Sequence, residues 1–548
     1  MRTRSEVTAE KLRGGFYSPD ALVDHCWDRI ASLTRDRSCL RVLEPSAGDG
    51  AFIRGIGRNP RLLDRIGSVT AIEPLTSEAE KCSIELQRQG LLGRVETRSA
   101  IEWAVVADDL FDVAVGNPPF VRFQFLSDAD KLSIKRLQER LQISLAGVSN
   151  LWLPLLIGSL ERLRPGGAFA FIVPAECFTG ISAGALRAWL VERGNRLRFD
   201  MFPPGSFPLV LQEIVIVSGQ RSSRANSATL RCEFCDHPLR GRVTTTVHLI
   251  PPSAATWTRF LLTKAQIDAH EEATHLPKVQ PLGRVAKFEV AAVTGANDYF
   301  SVDDSTLKEY QLEAWSTPLL PRIRHALGLR YTETDHEKIG DAGTKAHLLD
   351  FSAERPDPCQ VDGPLRYLTI GVVEGLPDRY KCSIRKPWYR IPFIRPGQIM
   401  LSKRCHQYPR AVLNEAGVVT TDTIYRGSMV NTFVGRESDV VAAFHNSLTL
   451  LAAELEGRTF GGGVLELVPS EVSRLSIPLP ERFGDELDRL DSLTRGFRVG
   501  DSEGDVLIEE TDLLLAKADL GLSPGLLDTL GTARDSLVRR RMDRNAAL

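Results

Sequence analysis

Residues Arg41 to Ile53, RVLEPSAGDGAFI, read as a strand, a glycine-containing turn and the start of a helix. Gly48 and Gly50 put no Cβ in the way, so the turn lets backbone come close to a ligand. The strand ends in an acid, Glu44, and a second strand ends in Glu73 within VTAIEP. A carboxylate at that second tip can accept hydrogen bonds from both hydroxyls of a ribose. The turn is not the GxGxxG that cradles a pyrophosphate, so a nucleoside without phosphates fits it better than a dinucleotide. S-adenosylmethionine meets that description. The plainer alternative is a structural turn with two solvent-facing acids.

Outward from this turn, short apolar runs alternate with helical stretches, the pattern of a doubly wound α/β sheet. The expected strands are Arg41 to Glu44, Ser68 to Glu73, Phe111 to Gly116, Ala168 to Pro174 and Glu213 to Ser218. Between them lie helices such as Ser77 to Gln89 and Ser149 to Arg164, the latter closed by Pro165-Gly166-Gly167. After Gly219 the chain turns polar and irregular, which puts a domain boundary between Arg221 and about Val247. At roughly 150 residues per domain, 548 residues make two to four domains.

Lys plus Arg number 68 against 70 Asp plus Glu, so the chain as a whole does not coat nucleic acid indiscriminately. An anionic partner needs a local patch. From Arg379 to Arg410 there are nine Lys or Arg and no acid, interleaved with Tyr380, Trp388, Tyr389, Phe393 and Tyr408. Basic residues among aromatics suit phosphate and base contacts, and Arg385, Lys386, Trp388, Tyr389, Arg390, Lys403 and Arg404 are the candidates; a solvated charged face is the alternative. The acid-rich stretch Glu481 to Asp512 restores neutrality and is expected to face solvent. With no apolar leader and no membrane-length run, the chain is expected to be cytoplasmic. Nine scattered cysteines make no disulfide framework. Cys232 and Cys235 form a lone CxxC, followed by His237, with no second ligand pair; TLRCEFC reads as a strand, and no metal is expected.

The strand FDVAVG runs into Asn117-Pro118-Pro119-Phe120. The prolines stiffen the turn and remove two N–H donors, leaving carbonyls free to face a ligand. The Asn117 amide oxygen and the Pro118 carbonyl then form a pair of acceptors suited to an exocyclic NH2. They stabilise its nitrogen as it becomes pyramidal and positive, an oxyanion hole in reverse. Phe120 would stack on the base.

In this order the motifs LEPSAGDG, AIEP and NPPF resemble the gamma-class N6-adenine DNA methyltransferases of bacterial restriction-modification systems. The resemblance extends upstream to Gly15-Phe16-Tyr17-Ser18-Pro19, with Ser18 as helix cap and Pro19 at the first helical position. Downstream it takes in FIVPAECF (Phe171 to Phe178) and SFPLVLQEIVIV (Ser206 to Val217). VTGANDYF (Val293 to Phe300), KPWYRIP (Lys386 to Pro392) and ELEGRTFGGGVLELVPSE (Glu454 to Glu471) resemble the family's target-recognition regions.

The family implies a Rossmann-like, S-adenosylmethionine-dependent catalytic domain over residues 1–245 and an α+β target-recognition domain over 246–548. It implies cofactor contacts from Phe16, Tyr17, Pro19, Glu44, Ser46, Gly48, Gly50, Glu73, Ser99 and Asn117, and a second aromatic, Phe207, against the flipped base. The chain departs from the family in two places. Phe120 stands where Tyr is usual, and Ser99 stands where relatives carry an Asp that binds the cofactor's adenine amine, so the contact is weaker.

The resulting expectation is base flipping and methyl transfer to adenine N6 in double-stranded DNA by a monomer, paired with a separately encoded restriction endonuclease. Only 14 residues precede Gly15, which leaves no room there for a fused nuclease. RNA-adenine and protein-glutamine methyltransferases use a similar turn and stand as alternatives; the glutamine enzymes are small and do not account for the second half of the chain. Cys177 reads as core, not as a nucleophile.

Overall fold

A computed structural model describes residues 18–143, 150–179, 183–203, 205–207, 213–224, 229–238, 241–252, 256–392, 395–460, 463–496 and 504–542. The chain divides into two compact units, one running to Thr263 and the other from Lys264 to Met542.

The first unit is built on a nine-stranded sheet of order β3-β2-β1-β4-β5-β7-β6-β8-β9. Its strands are β1 (Leu40–Glu44), β2 (Ile66–Ile72), β3 (Gly93–Glu96), β4 (Phe111–Gly116), β5 (Leu163–Pro174), β6 (Gly194–Phe202), β7 (Ile214–Arg221), β8 (Leu230–Asp236) and β9 (Thr244–Ile250). β3, β2, β1, β4 and β5 run parallel. β7 lies antiparallel between β5 and β6. All six residues of β4 are buried, as expected of a central strand covered on both faces.

The longer helices are α1 (Asp20–Leu33), α2 (Ala51–Gly57), α3 (Thr76–Arg88), α4 (Ala100–Val106), α5 (Asp128–Leu141), α6 (Trp152–Leu160) and α7 (Gly184–Arg193). α1 buries Leu22, Val23, Cys26, Trp27, Ile30 and Leu33 in the core that covers β1. Trp27 is tied there by its indole N–H, which donates to the Phe52 carbonyl at 2.9 Å; Trp27→Ala removes roughly 3–5 kcal/mol. The chain goes from edge strand β3 back to β4, next to β1. This reversal opens a crevice at the carboxyl ends of β1 and β4, the usual ligand position on such sheets.

Several expectations are corrected here. α6 stops at Leu160, and β5 already begins at Leu163, because the Arg162 carbonyl accepts from Phe111 N and so belongs to the sheet. Pro165-Gly166-Gly167 therefore lies within a strand, at the register shift between Phe111↔Leu163 and Val113↔Ala168. The sheet also has β6 and β9, which were not expected, and β3 just ahead of Ser99. Of these, β6 hides its nature by carrying Arg196, Arg198 and Asp200 between the buried Leu197, Phe199 and Met201. The expected boundary at 245/246 falls inside β9, whose pairing with β8 extends the first unit. Ser18 does not cap α1, whose N-cap is Pro19; the Ser18 hydroxyl serves Asn117 instead.

The second unit is α+β, with sheets of five, four, three and two short strands. Helices Glu437–Phe444, Ser447–Glu456, Leu487–Arg495, Gly504–Lys517 and Pro524–Met542 belong to it. The acid-rich stretch is not simply solvent-facing. Buried Asp491 accepts from Leu329 N and Arg330 N, and Asp512 accepts from Ser447 N and Oγ. No helix among the described residues is long and apolar enough to cross a membrane.

Candidate active site

The two glycines of the turn after β1 have different tasks. Gly48 (φ 51°) faces open space, with no atom within 4 Å of where a Cβ would stand. Gly50 (φ 85°) has α3 against it, since a Cβ would meet Cys82 Cα and Glu85 Cβ at 3.3 Å. Only Gly48 therefore offers backbone to a ligand.

Glu73 spans the same turn from the tip of β2. Its Oε2 accepts from Gly48 N and its Oε1 from Leu75 N, both at 3.0 Å. A carboxylate has about four lone-pair sites, so capacity remains on each oxygen for a diol. Burial raises the Glu73 carboxyl, against the pull of those two N–H groups. Glu44, 1% exposed, has an Oε1 with no hydrogen-bond partner. Burial pushes its carboxyl well above the ordinary range, and Asp49 and Glu73 push the same way while Arg54 opposes. A buried carboxyl with an unpartnered oxygen is a ready partner for a cation.

Asn117 leaves β4 into the same crevice. Its Nδ2 donates to Ser18 Oγ at 3.1 Å, and its backbone carbonyl accepts from Ser46 Oγ at 3.1 Å. That fixes which way the amide faces. Its Oδ1 is buried with no hydrogen-bond partner, a costly arrangement that a ligand N–H relieves. The adjacent Pro118 carbonyl accepts no hydrogen bond from the described residues. Phe120 is half-buried, as is Phe207, which packs edge-on to Phe202 at 5.3 Å.

The structure thus gathers Ser46, Gly48, Glu73 and Asn117, with Glu44 at the tip of the intervening strand. Pro19 stands at the start of α1, while Phe16 and Tyr17 lie outside the described residues. Ser99, the N-cap position of α4, donates its hydroxyl proton to Asp130 Oδ1 at 2.8 Å. This leaves both Ser99 lone pairs free to accept and polarises them by a neighbouring charge. Asp130 sits 31 positions away on α5 and carries no motif, so sequence reading missed it. An acid next to a serine that replaces an acid becomes visible only in the fold.

The CxxC is part of β8 and both thiols are fully buried; Cys177 is buried as well. His237 Nε2 bonds Asp200 Oδ1 at 2.8 Å.

In the second unit the basic stretch resolves into separate roles. Arg385 donates to the carbonyls of Thr294 (2.7 Å) and Val293, so VTGANDYF and KPWYRIP interlock. Trp388 and Tyr389 pack against the buried cluster of Tyr299, Phe300 and Phe351. Arg404 pairs with Glu466, which also lies 4.0 Å from Lys403, and Arg410 is buried on the carbonyls of Ala326 and Gly328. Lys386 and Arg390 are exposed, with no acidic partner among the described residues.

The family model described as Eco57I restriction-modification methylase matches residues 75–202, and that of the type II methyltransferase M.Eco57I, C-terminal domain, matches 254–507. The type II methyltransferase M.AccI of Acinetobacter calcoaceticus is 21% identical over 492 residues, 86% of this chain and 88% of its own. M.PaeR7I of Pseudomonas aeruginosa is 27% identical over 36% of this chain and 38% of its own. The chain therefore spans most of one relative and little more than a third of the other. In fold it is similar to the Type IIL restriction-modification enzyme MmeI, solved in complex with DNA, with a TM-score of 0.54 at 12% identity over 98% of this chain and 77% of that one.

Proposed function

Because the chain belongs with the Eco57I-type restriction-modification methyltransferases, we propose that it methylates the N6 amine of an adenine turned out of duplex DNA, using S-adenosylmethionine. The observation that carries this reading is the Asn117 amide, clamped by Ser18 with its Oδ1 buried and unpartnered beside the Pro118 carbonyl. An adenine amine is planar because its lone pair is shared with the ring. Two fixed acceptors, one for each N–H, favour the pyramidal nitrogen whose lone pair is free, and they stabilise the positive charge that grows there. Phe120 and Phe207 supply ring faces for the extruded base.

Gly48, Glu73, Glu44 and Ser99 fit the donor. They offer an open backbone cradle, a carboxylate with spare acceptors for a ribose, a buried acid for a cationic centre and a polarised hydroxyl for an adenine amine. When bound, the donor supplies a methyl group on a sulfonium, with a neutral thioether as leaving group. The protein's part is then alignment and electrostatics, and no cysteine nucleophile is needed.

The second unit reads the target, with Lys386 and Arg390 as its exposed cations toward DNA and Arg385, Trp388 and Tyr389 shaping the segment that carries them. On this reading the chain is the modification component of a restriction-modification pair whose endonuclease is encoded separately. Expression in a methylation-free host followed by long-read sequencing should show N6-methyladenine at one recurring sequence. A parallel labelled-methyl assay should show transfer to duplex DNA and none to ribosomal RNA or release-factor protein. Methyl groups at cytosine, or on RNA or protein alone, would overturn the reading.

A further inference from the structure

Three residues remote in sequence meet behind Phe207. Asp200, on β6, is completely buried. Its Oδ1 lies 2.8 Å from His237 Nε2, just beyond β8, and its Oδ2 lies 3.3 Å from His25 Nε2 on α1. Arg198 donates through Nε to both oxygens, at 3.0 and 3.1 Å, and through Nη2 to Oδ1 at 2.8 Å. The ligand atoms of His25, Asp200 and His237 lie within 4.8 Å of one another, close enough for a cation. However, the guanidinium already answers the carboxylate's charge, and a dication would add two positive charges beside it.

The imidazoles have a second set of neighbours. His237 stacks on Phe202 with centroids 4.4 Å apart and planes 22° apart. His25 meets Phe202 edge-on at 5.4 Å and His237 edge-on at 5.3 Å. Phe202 in turn carries Phe207 at 5.3 Å. His25 also belongs to the helix preceded by Ser18, which fixes the Asn117 amide. The stretch from Ser18 into this helix therefore touches both Asn117 and Phe202.

We propose that His25, Asp200 and His237 form a positioning cluster that holds the Phe202 ring, and through it Phe207, in register with Asn117 for the target base. The inference rests on the reading of Phe207 as a wall of the base site. Asp200 fixes the edge of the His237 ring through one hydrogen bond, so the face of that ring becomes a rigid bed for Phe202. Neither histidine touches a reacting atom; their effect is on how the base is received.

The test uses the full chain and a duplex with 2-aminopurine in place of the target adenine. Phe207→Ala is the reference and should lower the fluorescence rise and increase KM for DNA, with S-adenosylmethionine affinity unchanged. His237→Ala and His237→Gln should do the same by roughly two- to tenfold, the range an aromatic contact is worth. His237→Phe keeps the ring face without the hydrogen bond and should recover at least half of the loss. If Phe207→Ala lowers the signal while His237→Ala, with an unchanged melting temperature, stays within twofold of the parent, the cluster has no positioning role. If His237→Gln is normal and His237→Phe is not, the ring face is irrelevant, and this pair decides the matter should the alanine variant fail to fold. A Phe207→Ala protein that flips the base normally brings down the base-site reading itself, and the cluster with it.

Discussion

Asn117→Ala should make the protein more stable as it makes it inactive. The side chain has two polar ends with opposite effects. Nδ2 donates to Ser18 Oγ at 3.1 Å, a hydrogen bond contributing about 0.5–1.5 kcal/mol, while the buried, unpartnered Oδ1 costs about 1–3 kcal/mol. Truncation removes both, for a net effect from a loss of about 0.5 to a gain of about 2.5 kcal/mol, centred on a gain of about 1, which raises the first unit's melting by up to roughly 5–10 °C. The same oxygen is one of two acceptors fixed in place for the amine, and removing one such preorganised group costs about 100- to 1000-fold in rate. Single-turnover transfer at saturating donor and duplex measures the chemical step, anisotropy measures duplex affinity, and calorimetry measures melting. The expected pattern is a large loss of rate, duplex affinity within about threefold of the parent, and a melting temperature equal or higher. A variant that melts several degrees lower and keeps its rate within tenfold would show the amide to be structural and refute the argument. Ser18→Ala frees the amide to turn, and should lose rate with little change in melting.

Three further outcomes are expected. Gly48→Ala puts its Cβ in open space but at a left-handed φ of 51°, so it should cost about 1–2 kcal/mol of stability and lose S-adenosylmethionine binding in calorimetry; Gly50→Ala, at φ 85° and crowding Cys82 and Glu85 as well, should lower the melting temperature further. Normal cofactor affinity in Gly48→Ala would remove that backbone from the cofactor site. Burial raises the Glu44 carboxyl, and a cationic donor bound beside it should favour the charged form: affinity should rise with pH, and the binding heat should differ between phosphate and Tris buffers. Glu44→Gln should abolish both effects; their persistence would assign the proton elsewhere. Burial also lifts Asp512 from 3.8 to about 6, against its Ser447 hydrogen bonds, so the folded state is favoured by its neutral form and loses stability as pH rises through that window. Asp512→Asn should therefore melt like the parent at pH 4 and above it at pH 8; equal melting at both would show that the carboxylate is not strained.

What was legible in the sequence is what the backbone carries locally. RVLEPSAGDGAFI and FDVAVGNPPF each hold a strand, a turn and its ligand-facing groups within a dozen residues, so one window contains the geometry. Side-chain partners are set by the sheet, and the sequence is silent about them. Ser99 looked like a weakened contact because Asp130 comes from a helix two elements later. His237 looked like a companion to Cys232 and Cys235, yet those two lie at odd spacing on β8, where successive side chains alternate faces, and the imidazole is bonded to Asp200 on neighbouring β6. The basic stretch misled in the opposite direction: counting charges treated nine cations as one surface. Arg385 and Arg410 are in fact bound to backbone carbonyls and Arg404 to Glu466, which lies far along the chain. A guanidinium has five donors and buries readily when carbonyls are at hand, so arginine counts overstate a phosphate-binding face more than lysine counts do. Lys386 and Arg390, with the likewise exposed Arg379, Lys381 and Arg395, are therefore the positions in this segment at which substitution should lower DNA affinity while leaving the fold intact.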